Sequence, residues 1–96
     1  MALLDFKRLL ADALEQRGYS QRELGRRLKI NQAVISQVLT GNRLPPRHHL
    51  AAMAKELGLT GAAAADFVLA GQVAHAPKEV QAYIRDLEAA ADRKRK

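Results

Sequence analysis

The segment covering residues 20–41, SQRELGRRLKINQAVISQVLTG, contains two short helical patterns separated by a turn of only a few residues. Ser20 and Glu23 have the spacing of a capping box, which predicts the start of one helix. Asn31 is a favoured N-cap and Gly41 a favoured C-terminal stop, so a second helix is predicted between them. The turn between the two predicted helices is Lys29 to Asn31.

The rest of the chain is also predicted to be helical, because apolar residues recur at helical spacing and no strand pattern is present. Alanine and leucine are abundant and aromatic residues make up only 4% of the chain, which favours helices. The other predicted helices are Leu3 to Arg17, Arg47 to Leu57, one capped by Thr60 that ends near Gly71, and one that starts at Pro77. The predicted fold class is all-α, with a five-helix domain at 1–71 followed by a C-terminal amphipathic helix at 72–96.

Several classes of site and location are disfavoured by the residues present. The chain has no cysteine, which excludes disulfides and thiolate metal sites. His48 and His49 are adjacent and His75 is distant, so no metal-ligand pattern appears, and no cofactor or nucleophile motif is found. The apolar runs are too short to span a bilayer and no signal peptide is recognisable. We therefore expect a cytoplasmic protein that is not an enzyme and binds neither metal nor cofactor.

Basic residues are concentrated in one third of the chain. Between residues 17 and 47 there are seven basic residues and a single acid, Glu23. This local excess of six charges equals the formal net charge of +6 of the whole chain. Such a surface attracts a polyanion such as nucleic acid, and a solvated basic surface without a partner is the alternative.

The helix predicted at 32–40 has two chemically distinct sides. At 100° per residue, one arc of roughly 140° contains Gln32, Ala33, Ser36, Gln37 and Thr40, and the opposite arc contains Val34, Ile35, Val38 and Leu39. Uncharged amides, hydroxyls and a methyl group suit base edges in the major groove of DNA. Positive charges on Arg22, Arg26, Arg43 and Arg47 are expected to contact phosphates around the helix. An ordinary amphipathic surface helix is the alternative interpretation.

With these features the sequence resembles the helix-turn-helix regulators of the phage repressor and Cro type, the XRE family, whose domain is lambda-repressor-like. The resemblance covers roughly residues 9–71 and depends on GYSQRELGRRLKINQAVISQVLTGNRLPP followed by LAAMAKELGLT. It implies that the helix at 32–40 lies in the major groove of double-stranded DNA. It also implies base contacts by Gln32, Ala33, Ser36 and Gln37, and phosphate contacts by Gln21, Thr40, Asn42 and Arg43.

Two residues depart from the family pattern. Lys29 occupies the tight turn where glycine is usual, and a non-glycine residue at positive φ costs roughly 1 kcal/mol. The turn is therefore expected to differ in shape, with an effect on the tilt of the next helix. Ala33 replaces a longer polar residue, which removes one potential hydrogen bond and leaves a methyl contact.

The predicted last helix has an apolar stripe that must be covered by another surface. The stripe consists of Val80, Tyr83, Ile84, Leu87 and Ala91. We expect it to form a homodimer interface, since operators for such readers are usually pseudo-palindromic, and packing within the same subunit is the alternative. The basic run Arg93–Lys96 is either a solvated helix end or an arm that contacts phosphate.

These features together predict a sequence-specific double-stranded DNA-binding transcriptional regulator, most plausibly a dimeric repressor that blocks a promoter. The alternative is an antitoxin-like module that binds operator DNA and, through the C-terminal helix, a toxin or other protein partner. A non-specific or RNA-binding adaptor is a third hypothesis, disfavoured because few aromatic side chains are available to stack on single-stranded bases.

Overall fold

The computed structural model describes the backbone of residues 5–94 and the side chains of residues 5–91. Every regular element in this part of the chain is helical, which confirms the predicted all-α class. The helices are α1 (Phe6–Arg17), α2 (Gln21–Leu28), α3 (Gln32–Thr40), α4 (Leu50–Glu56), α5 (Gly61–Val73) and α6 (Lys78–Lys94), with a short 3-10 turn, Arg47–His49, before α4. None of these helices is both long and apolar enough to cross a bilayer.

A single apolar core lies between the first five helices. Helix α1 packs on α3 and α5, α2 packs on α3 and α4, and α4 packs on α5. The rings of Phe6 and Phe67 join α1 to α5, with centroids 4.9 Å apart. Leu24 from α2 and Ile35 from α3 are fully buried, and burial of each such side chain contributes roughly 1.5–3 kcal/mol. Helix α3 is therefore held from two sides by α1 and α2.

The helix ends that frame the central turn follow the sequence signals closely. The Ser20 hydroxyl accepts the backbone N–H of Glu23 at 3.0 Å, and the Asn31 side chain accepts the N–H of Ala33 at 2.9 Å. The capping box is only half formed, because the Glu23 carboxylate bonds to arginines of its own helix instead of returning to Ser20. These caps fix where α2 and α3 begin, as predicted.

Other predicted boundaries need correction. The fourth helix begins as a 3-10 turn, in which the N–H of His49 bonds to the Pro46 carbonyl. Thr60 is the N-cap residue of α5, but its side chain makes no capping hydrogen bond. Helix α5 continues past Gly71 and ends at Val73. Pro77 precedes α6 and accepts the N–H groups of the first turn through its carbonyl. The predicted first-helix residues Leu3 and Leu4, and the side chains of the basic run 93–96, lie outside the described residues.

The N-terminal end of α6 is hydrogen-bonded to the five-helix body. The Gln81 amide donates to the carbonyls of Ala76, at 2.9 Å, and Val73, at 3.3 Å. In the turn before α6, the imidazole Nε2 of His75 is hydrogen-bonded to the Pro45 carbonyl, which joins this turn to the loop between α3 and α4. The molecule is correspondingly elongated, with extents of 42 × 25 × 19 Å.

Candidate nucleic-acid interface

The turn between α2 and α3 determines how α3 is presented. Lys29 adopts the left-handed conformation, with φ 57° and ψ 41°, so the turn keeps the shape that glycine usually supplies. The prediction that this turn differs in shape is therefore wrong, and Lys29 adopts a strained conformation instead. The N–H of Ile30 bonds to the carbonyl of Gly25 at 2.9 Å, which closes the end of α2.

Gly25 allows the turn and α3 to approach α2 closely. A Cβ atom added at Gly25 would lie 2.8 Å from the carbonyl oxygen of Ile30 and 3.5 Å from the Cα of Gln32. The first distance is shorter than real contacts permit, so any side chain here would displace the backbone of the turn that leads into α3. The small residue in α2 thus sets the distance between the two helices.

Helix α3 separates its two sides as the sequence indicates. Ile35 and Val38 are buried against the core, and Val34 and Leu39 are half-buried. On the other side, Gln32, Ala33 and Gln37 are exposed and Ser36 is half-buried. The exposed side therefore carries amide, hydroxyl and methyl groups and no charge.

A cleft of about 570 Å³ lies beside the N-terminal ends of α2 and α3. Its polar lining includes Gln21, Arg22 and Gln32, so side chains from the two helices meet around one open space. The N-terminal end of a helix presents backbone N–H groups and the positive end of its dipole, which favours an anion. The cleft is therefore suited to a phosphate beside the exposed face of α3.

Three of the predicted phosphate-contacting arginines have no competing partner. Arg22, Arg43 and Arg47 are exposed, and none of them makes a hydrogen bond or ion pair with another residue in the 5–91 range. Their charges lie at the start of α2, just after α3 and before α4 respectively. Asn42, next to Arg43, is also exposed. These side chains are free to bind an anion without breaking an internal contact.

The remaining arginines of the basic segment are occupied within the protein. Arg26 donates to both carboxylate oxygens of Glu23, at 2.7 and 3.2 Å, and Arg27 donates to the same carboxylate at 2.8 Å. The hydrogen bond from Arg26 lowers the pKa of Glu23 and raises that of the Arg26 guanidinium. Arg17 and Arg27 also lie over the Tyr19 ring, 5.2 and 4.7 Å from its centroid. The usable positive charge is therefore smaller than the sequence count suggests.

Thr40 differs from the other predicted phosphate-contacting residues. Its hydroxyl donates to the Gln37 carbonyl at 3.0 Å, and the N–H of Asn42 bonds to the same carbonyl at 2.9 Å. A phosphate oxygen only accepts hydrogen bonds, so Thr40 would have to release this bond to contact one. In the observed arrangement Thr40 closes the end of α3.

Lys7 is a candidate contact that the sequence did not reveal. Its side chain lies over Gly41, and its Nζ atom is 3.2 Å from the position that a Cβ would occupy there. This places an exposed ammonium group from α1 beside the C-terminal end of α3, next to Asn42 and Arg43. No local pattern links Lys7 to residues 34 positions later in the chain, so only the packing of α1 on α3 could identify it.

The C-terminal residues predicted as a dimer interface lie together on one side of α6. Val80, Tyr83 and Leu87 are exposed by 45, 65 and 52%, and Ala91 is also exposed, while Ile84 is half-buried. Apart from Ile84, the stripe is thus left largely uncovered by the part of the subunit that the structure describes. Its role in dimerisation stays a prediction.

The histidines do not form a metal centre with acidic residues. The rings of His48 and His49 are adjacent, with centroids 4.2 Å apart, and His75 is bonded to the Pro45 carbonyl. Across residues 5–91, no three histidine or acidic side chains are placed to hold a metal ion.

Comparison with known proteins gives one match. Neither the curated proteins searched nor the solved structures searched contain a match to the chain. The family model described as helix-turn-helix matches residues 10–62, which is more than half of the chain and extends from α1 into the first turn of α5. The match includes α2, the Lys29 turn, α3 and the loop after it. The chain belongs to the XRE-type helix-turn-helix family of DNA-binding regulators.

Proposed function

We propose that this protein is a sequence-specific double-stranded DNA-binding transcriptional regulator that reads the major groove with α3. In this proposal Gln32, Ala33, Ser36 and Gln37 contact base edges. Phosphates are bound by Gln21, Arg22, Asn42, Arg43 and Arg47, and Lys7 joins this set. Arg26 and Thr40 complete it once they release their internal hydrogen bonds to Glu23 and Gln37. The 1–71 domain binds DNA, and 72–96 serves association.

The observation that carries the proposal is the uncharged, exposed side of α3 bordered by uncommitted arginines. Glutamine can make two hydrogen bonds to adenine, and an alanine methyl can contact the methyl group of thymine. Arg22 and Arg43 flank this side and make no internal ion pair in the described chain. Phosphate contacts position a DNA-binding protein and contacts to base edges specify the sequence, and the two sets of side chains around α3 suit these two roles.

We further infer that two copies act together as a repressor in the cytoplasm. A dimer with two-fold symmetry matches a pseudo-palindromic operator whose half-sites are about one helical turn, ~34 Å, apart. The exposed apolar stripe of α6 supports association, because a single amphipathic helix needs a surface to cover its apolar side. A small dimer bound at a promoter represses by blocking access of polymerase.

A second candidate function uses the same stripe for another protein. An antitoxin-like module would bind operator DNA through α3 and a toxin through α6, and exposed Tyr83 and Leu87 would serve that contact equally well. The two functions differ in the oligomeric state of the isolated protein. Sedimentation equilibrium at micromolar concentration should give a dimer for the first function, and a monomer would favour the second.

Selection of bound sequences from a random pool of DNA duplexes tests the central claim. We expect enrichment of a pseudo-palindromic site with two half-sites. A matched selection with the Gln32→Ala, Gln37→Ala double variant should lose the enriched bases while the protein still retains duplexes through its arginines. Recovery of unenriched duplexes by the wild-type protein would contradict sequence-specific readout.

A further inference from the structure

An open apolar groove lies between α4 and α5. It has a volume of about 680 Å³, and its walls are mostly small side chains of both helices together with Leu59, Val68 and Leu69. Leu69 is 43% exposed and adds a large apolar side chain to the open groove. One charged residue, Lys55, lines the groove.

Helix α6 of the same chain does not fill this groove. No α6 residue is among those that line it, and Val80, Tyr83 and Leu87 remain exposed. The Gln81 bonds to the Val73 and Ala76 carbonyls fix the direction in which α6 leaves α5. The chain therefore presents two unpartnered apolar features, a groove with small walls and a helix with large side chains.

We propose that the groove between α4 and α5 binds α6 of a second copy, so that two subunits exchange their α6 helices reciprocally. This inference depends on the dimer of the proposed function and specifies what α6 contacts in it. Tyr83 and Leu87 of each copy enter the space beside Leu69 of the other. The interface is therefore a helix in a groove, formed twice, and not a contact between two α6 helices.

Coverage of exposed apolar side chains supports this occupant. Among the described residues the large exposed hydrophobic side chains are Leu44, Leu69, Val80, Tyr83 and Leu87. Pairing of two α6 helices would cover the last three and leave Leu69 and the groove open to water. Binding of each α6 in the groove of the other copy covers four of these five side chains in each subunit. Burial of apolar area is the main favourable term in association.

The rims of the two surfaces offer a pair of opposite charges. Lys55 is exposed at the groove, and Asp86 is exposed on α6 next to the stripe residue Leu87. Opposite charges at the rim favour this pairing and its orientation, with a modest contribution to affinity. Helix exchange also leaves the DNA-contacting surface free, since none of the predicted base or phosphate contacts lines the groove.

Two variants with single charges test the exchange by sedimentation equilibrium. Leu69→Lys alters only the groove and Leu87→Glu alters only α6, and both positions are exposed, so each variant should keep the helical circular dichroism of the wild type. Each variant alone should dimerise roughly tenfold or more weakly, because an unpaired charge would be buried in both copies of the contact. An equimolar mixture should regain dimers. One contact of the mixed dimer is then unaltered and the other brings Lys and Glu together.

The outcomes separate this inference from the proposed function. If Leu69→Lys dimerises like the wild type, the groove is not part of the dimer interface. If Leu87→Glu dimerises like the wild type, α6 does not bind in the groove. Either result overturns the exchange. A mixture no better than its components also overturns it. A monomeric wild-type protein overturns both the exchange and the dimer. The groove and the apolar stripe of α6 would then be available to bind other proteins. Enrichment of half-sites from the duplex pool would still support DNA reading in each of these cases.

Discussion

Helices α3 and α6 both leave one side uncovered, but they leave opposite sides uncovered. In α3 the apolar side chains Ile35 and Val38 are almost completely buried and the amides face solvent. In α6 the apolar side faces solvent, with Tyr83 65% exposed. The first arrangement is stable in water and offers hydrogen bonds to a polar ligand. The second gains free energy only when an apolar surface covers it.

The contrast also shows why family membership informs the two helices unequally. The helix-turn-helix match covers residues 10–62, so α3 is inside it and α6 is outside it. The turn before α3 and the arginines at 22 and 43 therefore lie within the matched region. No residue of α6 does.

The largest expected effect compares apolar truncation in the two helices. Ile35→Ala should lower the free energy of unfolding by about 2–5 kcal/mol, because it leaves a cavity at a fully buried site. Leu87→Ala should have little effect on the monomer but should remove the dependence of the unfolding midpoint on protein concentration. Urea unfolding followed by circular dichroism at several concentrations measures both. Similar losses at low concentration would show that α6 packs within its own subunit.

The next effect concerns base readout by α3. Gln37→Ala should weaken binding to the selected duplex by roughly 1–3 kcal/mol and change binding to random duplex little, since the amide contacts bases and not phosphates. Fluorescence anisotropy at fixed salt measures both affinities. Gln16→Ala, at an exposed position of α1, is the matched control. Equal losses on the two duplexes would argue against direct readout by Gln37.

Arg43 tests the backbone contacts that accompany this readout. Arg43→Ala should weaken binding to selected and random duplexes alike and reduce the slope of log K against log salt concentration by about one unit. Titrations over a range of salt concentrations give the slope. Arg85→Ala, which removes an exposed arginine from α6, should leave it unchanged. A slope unaltered by Arg43→Ala would remove this residue from the phosphate-binding set.

A smaller effect is expected from the strained turn that presents α3. Lys29→Gly should stabilise the fold by up to about 1 kcal/mol, because glycine adopts positive φ without the clash of a Cβ, although its greater freedom in the unfolded state offsets part of the gain. Ala11→Gly, in the exposed middle of α1, should instead destabilise by about 1 kcal/mol. Urea denaturation distinguishes the two signs. Destabilisation by Lys29→Gly would mean that the lysine side chain contributes more than the strain costs.

The smallest effect is the pH dependence of the Glu23 ion pairs. Bonding to Arg26 lowers the pKa of Glu23 from its ordinary 4.5 in the folded state, so this contribution to stability is fully present above about 4.5. It is lost as the pH falls through the lower, folded-state pKa. The difference in Tm between the wild type and Glu23→Gln should therefore become smaller as the pH is lowered through the folded-state pKa of Glu23. A difference that widens there would contradict the lowered pKa.

Local signals in the sequence were sufficient for most of the fold around α3. Ser20, Asn31 and Gly41 predicted the ends of α2 and α3, because caps act over two or three residues. The inward and outward sides of α3 followed from spacing alone. The half-formed capping box was not predicted. Arg26 and Arg27 are one turn from Glu23 and compete for its carboxylate, a pairing that their spacing allows.

Features that depend on distant segments could not be predicted from the sequence. Lys7 reaches Gly41 only because α1 packs on α3. The bond between His75 and Pro45 joins positions thirty residues apart. The shape of the turn at Lys29 was misjudged because propensity favours glycine there, whereas the turn that packs closely on α2 at Gly25 contains a lysine in the left-handed conformation.

The firmly anchored base of α6 has a consequence for the spacing of DNA sites. Since Gln81 and His75 fix the helix to the body that carries α3, two bodies joined through α6 would have their reading helices at a set separation. The number of base pairs between half-sites would then report the geometry of a contact far from the DNA. One extra alanine in the Ala74–Ala76 turn would change the direction in which α6 leaves the body and should shift the preferred spacer, with each half-site sequence unchanged.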